Sequence, residues 1–407
     1  MNDPWRNLAD CTAADELLFR ASRLGTDSAN ADRIRCLLNQ DIDWGCLLLK
    51  AERHKVLPLL HRTIGANFAN CVPQAVFDRL RDRSRQNAHR NLFLAGQLLA
   101  ILKLCESNCL SVVPFKGPTL AVLAYGDLSL RQCGDLDILI RRSDFRKAKQ
   151  LLISLKYRPR LDLSASQEDA YLDATGEFVF DQDDPASSVD LHSELLPRYF
   201  AFKISPFYQR DGLQALSLGG ARVSTLAAED LLLYLCAHGA KHWWEFLGWI
   251  CDVAELIRAC AGLNWERILQ TARQLRGERM LNLGLVLATD LLGAPVPEHV
   301  CGAARADPLV RTLALQVTRC LCRPDHRCLN GWEGFLFHFK VRDRFWDKVR
   351  YPLFSAAIHP RLADREFLKL PRRLSFLYYF TRPIRLAVKY GKFLWAKACS
   401  SVAFFRK

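Results

Sequence analysis

Apolar residues recur at three- and four-residue spacing in DELLFRASRL, in WGCLLLKAERH and along the stretch from Gln74 to Glu106, which predicts helices up to about residue 100. The period then changes. Ser111 to Phe115 (SVVPF) is a short β-rich run, KGPTLAVLAYG a short helix opening beside a glycine and a proline, and DLDILI alternates as a half-buried strand does. SDFRKAKQLLISL carries a helical stripe behind Ser143, a good N-cap, and Tyr157 to Leu161 resume strand character. Glu177 to Asp181 and Ser188 to Leu195 flank the turn-forming QDDPA and read as an antiparallel pair, with more short strands up to Ser224. From Leu226 to about Cys322 the pattern is helical again, with one long segment (LAAEDLLLYLCAHGAKHWWEFLGWICDVAELIRAC), then NWERILQTARQLR and MLNLGLVLATDLL. The expected fold class is therefore α+β, a mixed β-sheet flanked by N-terminal and C-terminal helical regions. The expected parts are an N-terminal helical region 1–95, a core 96–225, a helical domain 226–330 and a basic helical C-terminal segment 331–407.

At 407 residues and 50% hydrophobic content the chain can bury a large core, which excludes wholesale disorder. No secretory pattern opens the sequence, and the apolar window from Met280 to Val296 carries Asn282 and Asp290, short of the roughly 20 clean residues a membrane span needs. A soluble, cytoplasmic protein is expected. The cysteines are fifteen, an odd number, and Cys36, Cys105, Cys109, Cys236, Cys251 and Cys260 lie in apolar helix-like runs, so reduced, core-filling thiols are expected. Cys320, Cys322, His326 and Cys328 in CLCRPDHRC could supply four zinc ligands, but their spacing matches no common finger or ribbon, and a helix ending before Pro324 is the preferred reading. The charge is uneven. Gly331 to Lys407 holds 17 Lys and Arg against 5 Asp and Glu, net +12 of the total +14.

The candidate chemistry centres on Asp135 and Asp137. Side chains alternate along a strand, so both carboxylates project from one face of DLDILI while Leu136, Ile138 and Ile140 project from the other. Two close carboxylates call for a cation, and Mg²⁺, with Mn²⁺ as its alternative, takes oxygen ligands from carboxylates and substrate phosphates together. Alone, Asp-x-Asp is a weak signal; its surroundings strengthen it. Lys116 and Gly117 sit where a β run meets a helix start, a place that favours phosphate, and Asp190 and His192 in VDLHSE share a strand face that offers a third carboxylate.

In this order Lys116-Gly117, Tyr125, Arg131 and Gly134-Asp135-Leu136-Asp137 resemble the uncharacterised nucleotidyltransferases of the polymerase-β-like superfamily. The resemblance continues through Asp190 and His192, through HGAKHWW with Trp249 and Asp252, and into LKLPRRLSFLYYFTRP. It implies a polymerase-β-like nucleotidyltransferase core in which Asp135, Asp137 and Asp190 bind two metals, with Asp190 assisting deprotonation of an acceptor hydroxyl. The superfamily's usual Gly-Ser pair is absent, and Lys116-Gly117 stands in its place.

The expected substrates are an NTP, ATP first, and a hydroxyl-bearing acceptor that is a small molecule, a saccharide or a protein. Lys116, Gly117, Arg131 and Lys241 are the candidate triphosphate contacts. His238 and His242, four apart on one helix, either pack beside Trp243 and Trp244 or face substrate. Two other functions compete: a sugar-nucleotide glycosyltransferase, disfavoured because its long alternation of strands and helices is missing, and a non-catalytic protein that binds nucleic acid or anionic membrane. The aromatic and basic tail from Phe376 to Phe405 reads first as a core-capping helix, with an interfacial helix and an RNA-contacting surface as the alternatives.

Overall fold

The computed structural model describes residues 11–25, 27–183, 186–197, 213–323, 329, 331–344 and 346–348. The first helices form where the spacing predicts them: α1 (Ala13–Ala21), α2 (Ser28–Leu38), α3 (Trp44–Arg53), α4 (Leu57–Asn67) and the long α5 (Gln74–Ser107). Thr12, Asp27 and Asp43 cap the first three by accepting from backbone N–H groups, which satisfies donors the helix itself leaves unpaired. The middle of the chain supplies β1 (Val112–Pro114), α6 (Pro118–Tyr125), β2 (Leu136–Ile140), α7 (Phe145–Ser154), β3 (Arg158–Pro159), α8 (Ala165–Thr175), β4 (Glu177–Asp183), β5 (Ala186–His192), β6 (Leu213–Leu218) and β7 (Ala221–Leu226). Helices α9 (Ala228–Lys241), α10 (Leu247–Ala259), α11 (Trp265–Gln274), α12 (Glu278–Leu292), α13 (Glu298–Ala306), α14 (Pro308–Cys322) and α15 (Gly331–Lys340) follow. The fold is α+β, as expected.

Five strands make a mixed sheet in the order β1-β2-β5-β4-β3, parallel between β2 and β5 and antiparallel elsewhere, while β6 and β7 form a separate hairpin. The sheet's two faces are chemically distinct. Leu136, Ile138 and Ile140 of β2, Val189 and Leu191 of β5 and Phe178 and Phe180 of β4 enter one apolar cluster with Leu94, Leu98 and Ile101 of α5 and Phe145 and Leu152 of α7. The alternating residues Asp137, Asp190, His192 and Glu177 point the other way. The C-terminal half of α5 thus packs against this sheet.

The structure departs from the sequence reading at several places. Ser143 is not the N-cap of α7; a short 3-10 turn over Arg142–Asp144 leads into the helix, and Asp144 occupies the cap without a side-chain bond. Helix α8 was not expected, although Ser164 and Gln167 form a capping box at its start. The long helical segment breaks into α9 and α10 at Trp243 and Trp244, both left-handed at φ 58° and 55°. Such backbone costs roughly 1–3 kcal/mol per residue. The Trp244 ring repays it by lying fully buried over Gly239 and Gly284, where added Cβ atoms would meet the ring at 2.5 and 3.2 Å.

Cys322, weighed above as a zinc ligand, is instead in a disulfide with Cys11. Cys105, Cys236 and Cys251 are buried as expected, whereas Cys36 and Cys109 are exposed. His326, Cys328 and the tail from Phe376 to Phe405 lie outside the described residues. Among the described residues no helix is long and apolar enough to cross a membrane.

Candidate active site

Register places the site. Asp137 of β2 pairs with Asp190 of β5, and on the other flank of β5 His192 pairs with Glu177 of β4, so three neighbouring strands set these four side chains on one face. One ligand atom from each of Asp137, Asp190 and His192 falls within 4.8 Å of the others. Asp135 precedes β2 by one residue, is half-buried and stands outside that tight group. It is still close enough for the Asp137 charge, with burial second, to raise its carboxyl above the usual range.

Asp137 is only 3% exposed. Burial alone would raise its carboxyl, but Lys116, with Nζ 2.9 Å from Oδ1, and His192 outweigh burial and hold it below the ordinary range. Burial would likewise strip the Lys116 proton, and Asp137 reverses that, so the lysine stays charged. Lys116 also lies 3.2 Å from His238 Nε2, which accepts from the ammonium. Asp190 lacks such a partner. Burial first, then the charges of Asp137 and Asp135, push its carboxyl up to about 7.

Gly117 is required by the packing of the chain itself. Its φ is 57°, and a Cβ there would stand 2.9 Å from the carbonyl oxygen of Asp135, so the glycine lets the start of α6 close against the start of β2. Arg131 borders the cleft, yet its guanidinium is committed: Nε donates to Oδ1 of Asp252 at 2.8 Å and Nη2 to Oδ2 at 3.0 Å. Tyr125 donates to the same Oδ1 at 2.8 Å. These three residues, noted in sequence as separate points of resemblance, are one buried fork that ties the core to α10.

The cleft measures about 270 Å³ and carries four cations along its walls, Lys55, Lys116, Arg131 and Lys241. Lys241 Nζ lies 3.9 Å from Glu177 Oε2. His238 and His242 pack ring to ring at 4.8 Å and against Trp249 at 5.2 and 5.3 Å, rather than against Trp243 and Trp244. Burial, with Lys116 and Lys241 adding to it, keeps both imidazoles neutral, His242 at about 3 and His238 well below its ordinary value. Lys55, Glu177 and Tyr234 are cleft residues that the sequence reading did not single out.

A mixed sheet that sets an Asp-x-Asp strand beside a parallel strand bearing a third aspartate, with a lysine at the adjoining turn, defines a nucleotidyltransferase. The chain belongs to the family described as uncharacterised nucleotidyltransferase, whose model matches residues 40–293. The chain is also similar to the antibiotic-resistance factor ANT(2'')-Ia, known as a solution structure, at 13% identity and a TM-score of 0.33 over 46% of this chain and 92% of that one. A second similar structure is an antigenic nucleotidyltransferase-like protein from Paracoccidioides brasiliensis, at 15% identity and a TM-score of 0.28 over 52% of this chain and 95% of that one. No curated protein sequence matches.

Proposed function

We propose that this enzyme transfers a nucleoside monophosphate, AMP first among them, from an NTP to a hydroxyl of a small molecule, saccharide or protein, with release of pyrophosphate. The observation that carries this reading is the cross-strand pairing of Asp137 with Asp190, beside Asp135, in a cleft whose walls also carry Lys55, Lys116, Arg131 and Lys241.

The residues fit a divalent cation. Asp137 Oδ2 is buried without a hydrogen-bond partner, and the donors around it are carboxylate oxygens and an imidazole. Asp137 and Asp190 would hold the ion with Asp135 completing the set, and bound Mg²⁺ or Mn²⁺ would stabilise the charge that develops as pyrophosphate leaves. The chain's own residues do the rest. Asp190, half-buried on the cleft side, takes the acceptor proton as the acceptor oxygen bonds to the α-phosphorus. The bond from that phosphorus to the bridging oxygen breaks, and its electron pair departs with pyrophosphate. Lys55 and Lys241 face the cleft as phosphate contacts, Lys116 keeps Asp137 ionised and oriented, and Arg131 positions α10.

Incubation with Mg²⁺, a cell lysate and either α- or γ-labelled ATP tests this. Label is expected on an acceptor from the α- but not the γ-position, to fall at least 100-fold in Asp135→Asn with the circular dichroism spectrum unchanged. Asp190→Asn should lower the rate far more than it weakens ATP binding. Transfer of the γ-label, or undiminished transfer in Asp135→Asn, defeats the proposal.

A further inference from the structure

Proteins seldom bury an imidazole whose two nitrogens both lack hydrogen bonds, because each unpaired polar atom gives up its hydration and receives nothing in exchange. His192 is such a residue: it is 3% exposed, and among the described residues neither Nδ1 nor Nε2 has a hydrogen-bond partner. Its Nε2 lies 3.3 Å from Asp137 Oδ1, out of alignment for a hydrogen bond, and its ring is held edge-on by Phe115 at 5.1 Å. On the far side, Glu177 Oε2 stands 3.8 Å from Nδ1. The ring therefore presents a nitrogen to the space between Asp137 and Asp190 and a second nitrogen to an acid.

We infer that His192 is itself a metal ligand, through Nε2, and that Asp137, Asp190 and His192 form a mixed oxygen and nitrogen site that favours Mn²⁺ over Mg²⁺. The inference rests on the nucleotidyltransferase reading and refines it, since the resemblance supplied carboxylates alone. Mg²⁺ is hard and small, and is held by oxygen; an imidazole donor raises affinity for first-row transition ions, among which Mn²⁺ tolerates an oxygen-rich shell. Glu177 takes the place of the outer carboxylate that commonly orients a ligating histidine and fixes which nitrogen bears the proton. Lys116 caps Asp137 Oδ1 and leaves Oδ2, the unpaired atom, for the ion.

Pulsed electron paramagnetic resonance on the full chain loaded with Mn²⁺, with and without ATP, reads the ligand directly. Nitrogen modulation is expected in the wild type and should change isotope pattern when only histidine is ¹⁵N-labelled, which separates the protein's nitrogen from any on the nucleotide. His192→Gln should lose that modulation and bind Mn²⁺ at least tenfold more weakly, with Mg²⁺ affinity changed less than threefold. The wild-type spectrum decides the question even where the variant folds poorly. Bound Mn²⁺ without histidine nitrogen coupling, in a protein that still transfers α-label, overturns the ligand assignment and leaves the nucleotidyl-transfer reading standing. Absence of Mn²⁺ binding together with absence of α-label transfer overturns both.

Discussion

Changing Asp252 to Asn tests whether Arg131 is a structural clamp or a substrate contact. Asp252 is 2% exposed and accepts from Arg131 Nε and Nη2 at 2.8 and 3.0 Å and from Tyr125 at 2.8 Å. The substitution keeps the shape, removes the charge, and turns an NH₂ toward at least one donor that had an acceptor. Breaking one side of a buried ion pair costs roughly 3–5 kcal/mol, since the remaining charge stays out of water unpaired. Against the roughly 5–15 kcal/mol that holds a typical domain folded, this is about a fifth or more. Urea unfolding followed by tryptophan fluorescence should show a much lower midpoint with the slope unchanged. The paired change Arg131→Met with Asp252→Leu should be at least 2 kcal/mol less damaging than the sum of its parts, because neither charge is then stranded. Should Asp252→Asn stay within 1 kcal/mol of wild type and lose only ATP affinity, the clamp is refuted and Arg131 is a phosphate contact after all.

Two further outcomes follow from the same packing. Burial lowers His54 to about 4, where its Nε2 donates to the Leu321 carbonyl at 3.0 Å and its Nδ1 accepts from the Leu247 N–H at 3.4 Å. The unfolded chain binds this proton first, so stability is fully present above the unfolded value of 6.5 and is lost as pH falls toward about 4, by roughly 3 kcal/mol in all. Urea midpoints measured at pH 7 and pH 5 should show about 2 kcal/mol of that loss in wild type and less of it in His54→Gln. Gly239→Ala should lower the melting temperature by an amount equivalent to at least 1–3 kcal/mol, because its Cβ would stand 2.5 Å from the Trp244 ring. An unchanged melting temperature would mean that the ring is not seated there.

The two-residue period of DLDILI was enough to put Asp137 on one face and the apolar residues on the other, with Asp135 reaching the same cleft from just before the strand, and the third aspartate was visible in a β-rich run. Glu177 was not, since nothing in a single sequence says that β4 pairs with β5 so as to bring Glu177 opposite His192. Register is a property of two strands, and only one of them carried a recognisable motif. Lys55 and the Arg131–Asp252 fork were hidden for a similar reason: their partners come from other parts of the chain, 121 residues away in the case of the fork. The break between α9 and α10 had no glycine or proline to announce it, because two tryptophans take the left-handed turn and packing of the Trp244 ring holds them there. Helix α8 was legible. Its Ser164 and Gln167 have capping-box spacing, and weighing that signal would have found it.

Lys116 gives the acidic face a counter-charge that travels with the polypeptide. Zinc fingers and similar small modules stay unfolded until metal arrives, because their ligands repel or remain unsatisfied without it. In this enzyme an internal ammonium already neutralises Asp137, the one fully buried acid among Asp135, Asp137, Glu177 and Asp190. On the proposed reading, chain folding and ion loading are separate events: a newly made molecule can complete its core in a metal-poor environment, persist there intact, and become competent when the ion is supplied. A chelator should act on it as a reversible off-switch and leave the native state in place.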